Sequence, residues 1–171
     1  MGGFYKNIAL VALGFWLGCA ILFVAVVAPV LFNPDVTSGL SREMAGAIAG
    51  AIIGRIYLIT YICIGTSAFF ILLALWSMGF YGNKRLLYTF ILCLTVLGLN
   101  IASDLWIRPQ LYKIRLEITN STGSSTALQE KFKKWHTFSE WTYGAAVGCG
   151  LLGTILLIPS GWGGKTRKTS R

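Results

Sequence analysis

The sequence predicts an all-α polytopic membrane protein, with four transmembrane helices in an up-down bundle. Three observations carry that expectation. The 171 residues are 55% hydrophobic and 12% charged, with a mean hydropathy of +0.67, whereas a soluble domain carries about twice that charged share. The apolar residues fall in blocks of about 20 or more, the length that crosses a bilayer, and not in the short runs of a soluble core. The basic residues collect in short flanks of those blocks: Lys84-Arg85, Lys131 with Lys133-Lys134, and the tail Lys165, Arg167, Lys168 and Arg171. Topology and anionic headgroups account for such flanks. The net charge of +9 is therefore not read as a nucleic-acid footprint, since no basic-aromatic groove or recognised motif accompanies it.

The spans are expected at about 7–32, 55–79, 86–108 and 136–158, within a single domain 1–164 followed by a basic tail 165–171. The first apolar block continues well past Leu17-Gly18-Cys19, which excludes a short signal-peptide core and predicts an uncleaved helix. Pro29 should kink or loosen its last turn, and Phe32-Asn33-Pro34-Asp35 reads as a stop.

Ser41 is a candidate N-cap for the next helix, with Glu43 in the first turn where the helix dipole favours an acid. Gly46, Gly50 and Gly54 then recur every four residues, the pattern that lets two helices approach closely. A helix unbroken from this region to Met78 would run about 57 Å, longer than a bilayer core. A break near Gly54 is expected, separating an interfacial helix from the second span.

Gly82-Asn83-Lys84-Arg85 is a basic turn into the third span, which Pro109 should end or kink. Between spans three and four, Leu111–Glu117 and Leu128–Trp135 read as amphipathic helical pieces at the membrane surface. Asn120–Thr126 joins them as a flexible hinge and contains a glycosylation-like Asn120-Ser121-Thr122. The fourth span closes at Pro159 and Gly161-Trp162, where the tryptophan and the basic tail anchor an interface. The basic residues are nearly balanced between the two sides of this topology, with a lean to cytoplasmic termini.

One polar constellation interrupts the apolar pattern. Asn100, Asp104 and Arg108 are spaced four apart, so they stack on one helix face. With alternating helix directions they meet Asn33 at the end of span one, Arg55, Tyr57 and Tyr61 at the start of span two, and His136, Ser139, Glu140 and Tyr143 at the start of span four. Two readings stay open. Arg55 and Arg108 can neutralise Asp104 and Glu140 in an ion-pair cluster that only fixes helix order. Alternatively, the group lines a small cavity open to one side, which takes an ion, an anionic headgroup or a substrate.

His136 is the single histidine, so a haem held by two histidines is excluded within one chain, and His136 is a haem or metal ligand only if such a group is present. Cys19, Cys63, Cys93 and Cys149 lie in different apolar blocks without CxxC spacing and read as packing residues. No nucleophile setting or phosphate-cradling glycine loop is found, so no catalytic residue is assigned.

Gly14-Phe15-Trp16-Leu17-Gly18, Ala28-Pro29-Val30-Leu31-Phe32, Ala45-Gly46 with Gly50 and Tyr57, Asn100 to Arg108-Pro109-Gln110-Leu111 with Arg115, and His136-x-x-Ser139 resemble the recurring patches of the transmembrane-protein-205-like domain. The resemblance spans about residues 8–158 and implies a four-helix membrane family of unknown biochemical function, distantly similar to CopD-type copper-resistance and haem-pathway membrane proteins. Those distant relatives use several histidines or methionines, where this chain has one and three.

The expected function is that of a non-enzymatic membrane protein, a structural or accessory subunit packed through its glycine face. Its partners would be membrane lipids and other membrane subunits or a second copy. The alternatives are a small transporter or ligand- or ion-binding protein using the polar cluster, and more remotely a haem or metal protein.

Overall fold

The computed structural model describes residues 2–33, 35, 42–78, 83–120 and 126–158. Six α-helices form the described chain: α1 Gly2–Leu22, α2 Ala28–Phe32, α3 Arg42–Met78, α4 Lys84–Ala102, α5 Arg108–Asn120 and α6 Thr126–Leu157. Three stretches are long and apolar enough to cross a membrane: Gly3–Phe32, Met44–Ser77 and Lys84–Ile118. The chain is therefore a helical membrane protein. The stretch expected as a fourth span is the second half of α6, whose first half is polar, carrying Glu130, Lys131, Lys133, Lys134 and Glu140.

Two π-helical turns, Phe23–Val27 and Ser103–Ile107, join α1 to α2 and α4 to α5. In each, the next residue donates its N–H five residues back, Ala28 to Phe23 and Arg108 to Ser103. Each of these donors immediately precedes a proline, Pro29 or Pro109. A proline ring crowds the carbonyl four residues back and offers no N–H. Widening the preceding turn by one residue relieves that crowding while the helix continues. The third long helix therefore continues through Pro109 instead of ending there.

The break expected near Gly54 is absent: α3 is one helix of 37 residues, about 55 Å long at 1.5 Å per residue. A mid-helix glycine costs only about 1 kcal/mol, and burial of Ala45, Ala49 and Ile56 along the same stretch offsets that cost. The amphipathic piece at Leu128–Trp135 is likewise continuous with the residues beyond it, giving α6 its 32 residues. Helix α2 stops as expected: Asn33 turns extended, and its side chain accepts the Asp35 N–H at 2.9 Å. Asn83 caps α4 by accepting from the Leu86 N–H. The expected Ser41 cap, the Glu43 side chain, the Asn120–Thr122 sequon beyond Asn120, most of the 120–126 hinge, and the Pro159 and Trp162 anchor with the tail lie outside the described residues.

The core is a helix-to-helix interior, pinned by polar contacts of kinds that suit lipid. Helices α1 and α3 run antiparallel, Tyr5 meeting Phe70, Ala9 meeting Ser67 and Trp16 meeting Thr60. The fully buried Ser67 hydroxyl donates to its own helix at Cys63 O and lies 3.2 Å from Ala9 O across the interface. The fully buried Trp16 indole N–H donates to Thr60 Oγ1 at 2.7 Å. The six-membered edge of the indole lies against Gly150 of α6, where an added Cβ would overlap it. Trp16 thus ties α1, α3 and α6 together. The hydroxyls of Thr60, Thr89, Thr142 and Thr154 each donate to a carbonyl four residues back, which removes an unpaired donor from apolar surroundings. Outward, Phe15, Phe69, Trp76, Ile91 and Leu105 are exposed, as lipid-facing residues of a spanning bundle are.

Candidate functional site

The polar residues do not all meet. The π-turn before Pro109 carries Asp104 one helical turn below Arg108, and the two form an ion pair, each side chain about two-fifths exposed. Arg108 reaches across to α3, where its guanidinium carbon lies 5.3 Å from the centroid of the Tyr57 ring. One of its nitrogens is 3.2 Å from where a Cβ of Gly54 would stand. Tyr61 is within electrostatic reach of Asp104, Arg108 and Tyr57, and Tyr143 of α6 is within reach of Tyr57. The side chains of Asp104, Arg108, Tyr57, Tyr61 and Tyr143 therefore gather between α3, the π-turn that leads into α5, and α6. The Tyr143 hydroxyl oxygen is enclosed and has no hydrogen-bond partner among the described residues. Such an orphan costs roughly 1–3 kcal/mol.

The other sequence-identified residues lie apart. Asn100 is buried one turn below Asp104, and its amide donates to Val96 O at 2.8 Å within its own helix. Arg55 faces outward. His136 and Glu140 are exposed on α6 and face each other, Nδ1 to Oε1, at 3.2 Å. The His136 ring also stacks obliquely on Phe132. Ser139 is half-buried. No group of three or more His, Cys, Asp or Glu side chains with metal-site geometry occurs among the described residues.

The glycine ridge of α3 has an unexpected occupant. No backbone packs on it: among the described residues no Cα of α3 comes within 8 Å of one in α5, although α2 packs on α3 and α5 on α6. Side chains cross the space between α3 and α5. Arg108 reaches Gly54, and the Arg115 guanidinium sits so close on Gly46 that a Cβ there would overlap it. Gly50, between them on the same ridge, is exposed, and among the described residues nothing lies within 4 Å of where its Cβ would be. The period of four was legible in the sequence, but a glycine that receives an arginine has the same signature as one that receives a helix. Arg115 could have been found as the residue two turns beyond Arg108 on the same face.

Neither the curated proteins nor the solved structures contain a match to this chain. A family model, described as Domain of unknown function (DUF4149), matches residues 11–120, a stretch that contains α3, α5, the Asp104–Arg108 pair and the glycine ridge and stops short of α6. That match covers well over half of the chain, and the protein belongs to this family.

Proposed function

We propose that the protein is a non-enzymatic, four-span integral membrane protein that serves as an accessory subunit, docking a neighbouring helix on its outer glycines. One observation carries this reading. Gly14 and Gly18 on α1, and Gly144 and Gly148 on α6, are exposed, and among the described residues nothing lies within 4 Å of their Cβ positions. Four-residue spacing of small residues on a lipid-facing helix lets a second helix approach closely. Large apolar side chains border both stripes, Val11 and Phe15 on α1 and Trp141, Leu151 and Leu152 on α6.

Native mass spectrometry of the gently extracted protein tests this. The wild type should run in an assembly heavier than the 18.7 kDa chain, and Gly144→Leu with Gly148→Leu should release it. A wild type found only as a single chain would overturn the reading.

The second half of α6 completes an up-down bundle with both termini on one side, which we place in the cytoplasm. Its support is the antiparallel packing of α6 on α1, with Gly150 against Trp16, and on α4, with Gly153 against Thr89, beside exposed Leu152, Ile155 and Ile158. A membrane-impermeant thiol reagent applied from one side should label either Thr126→Cys or Ile158→Cys in a background freed of native cysteines. Labelling of both from the same side would remove the fourth span.

The partners under this reading are lipids and membrane subunits, with no nucleic acid and no resident cofactor. The narrower likeness to the transmembrane-protein-205-like and CopD-type proteins belongs to the same reading. A ligand-binding role is favoured by a separate observation, the bridged cleft between α3 and α5.

A further inference from the structure

Helices α3 and α5 face each other across a gap wider than 8 Å between Cα atoms, and the Arg108 and Arg115 side chains span it like two rungs. The arginines are seven residues apart, about 10 Å along α5 at 1.5 Å per residue. They land on glycines eight residues apart on α3. Gly50 stands at the back of the window between the rungs, and among the described residues no atom lies within 4 Å of where its Cβ would be.

We propose that this window binds a phosphate group, presented by an anionic glycerophospholipid of the adjoining leaflet. Three features support that chemistry. A guanidinium has five donors in a planar fork that matches phosphate oxygens. Arg108 uses one nitrogen on Asp104, and its other terminal nitrogen faces the glycine ridge. The missing side chain at Gly50 lets a ligand approach α3 closely. The window also sits at headgroup depth: Trp106 in the π-turn before Arg108 and Tyr112 after it on α5 are exposed by 69% and 65%, and such aromatics mark the membrane–water boundary. The site is independent of the outer glycine stripes, so it stands or falls apart from the accessory-subunit reading.

The test uses the purified full-length chain in detergent, titrated with short-chain phosphatidylglycerol, short-chain phosphatidylcholine or inorganic phosphate, with bound ligand counted by native mass spectrometry. Phosphatidylglycerol should bind the wild type in preference to phosphatidylcholine. Gly50→Leu puts a branched side chain into the window from a position whose Cβ has no described atom within 4 Å, so it should weaken that binding about tenfold at an unchanged melting temperature. Arg108→Gln should weaken it as well. Binding of inorganic phosphate that Gly50→Leu also removes would support the window and assign it to a free anion. Binding that survives Gly50→Leu would overturn the proposal. So would binding abolished by the combined Lys131→Gln, Lys133→Gln and Lys134→Gln changes, which would place the ligand on the basic face of α6.

Discussion

Gly150→Ala should be the most damaging single-methyl change in the protein, with an expected loss of about 3 kcal/mol of stability. The new Cβ would overlap the edge of the Trp16 ring, and an indole cannot bend away as a lysine tip can. The ring is wholly buried, and its N–H is held by Thr60 Oγ1 at 2.7 Å. Relief therefore requires either moving α6 outward or rotating the ring off its hydrogen bond. The first opens the α1–α6 contact and the second leaves a buried donor unpaired. Reversible unfolding in mixed micelles measures the loss. Trp16→Leu removes the obstructing ring, so Gly150→Ala added to Trp16→Leu should cost at least 1 kcal/mol less than it does in the wild type. Additive losses would mean that the two residues do not share a contact. Gly144→Ala, with open space at its Cβ, is the control expected to leave stability unchanged.

That contrast shows which part of the architecture the sequence could express. Apolar length is a one-dimensional property, so the three long membrane-crossing stretches were visible in composition alone. Helix continuity was not. Gly54 and Pro109 are both helix-breaking residues on intrinsic propensity, yet α3 passes through the first unbroken, and a π-turn carries the chain past the second. The deciding factors are the burial of Ala45 and Ala49 and a one-residue widening of the backbone, neither of which has a residue-level signal.

The site was half legible for the same reason. Asn100, Asp104 and Arg108 share a ridge because of their spacing, and the Asp104–Arg108 pair follows directly from it. Whether α6 brings His136 and Glu140 to that pair depends on the rotation of α6 about its own axis. In the structure this rotation turns both residues outward and points Tyr143 inward. Gly150 could not be told from Gly144 or Gly148 by sequence either, although one supports a buried tryptophan and the others lie on the surface.

Asp104→Asn should separate the two roles of Arg108. The carboxylate now holds the guanidinium beside Tyr57 and Gly54. Removing its charge leaves a cation at the membrane edge with a ring face and a neutral amide as company. Because the pair is partly exposed, solvent screening limits the loss of stability to about 1 kcal/mol. Binding should move the other way. Asp104 competes with any anion for the Arg108 donors, and neutralising it should raise affinity for phosphatidylglycerol about five- to tenfold. A carboxylate that served only to set helix order would give the first effect without the second. A carboxylate that contacted the ligand directly would give a loss of binding. The sign of the change in lipid affinity, measured beside the melting temperature on the same sample, therefore distinguishes a structural ion pair from one that guards an anion site.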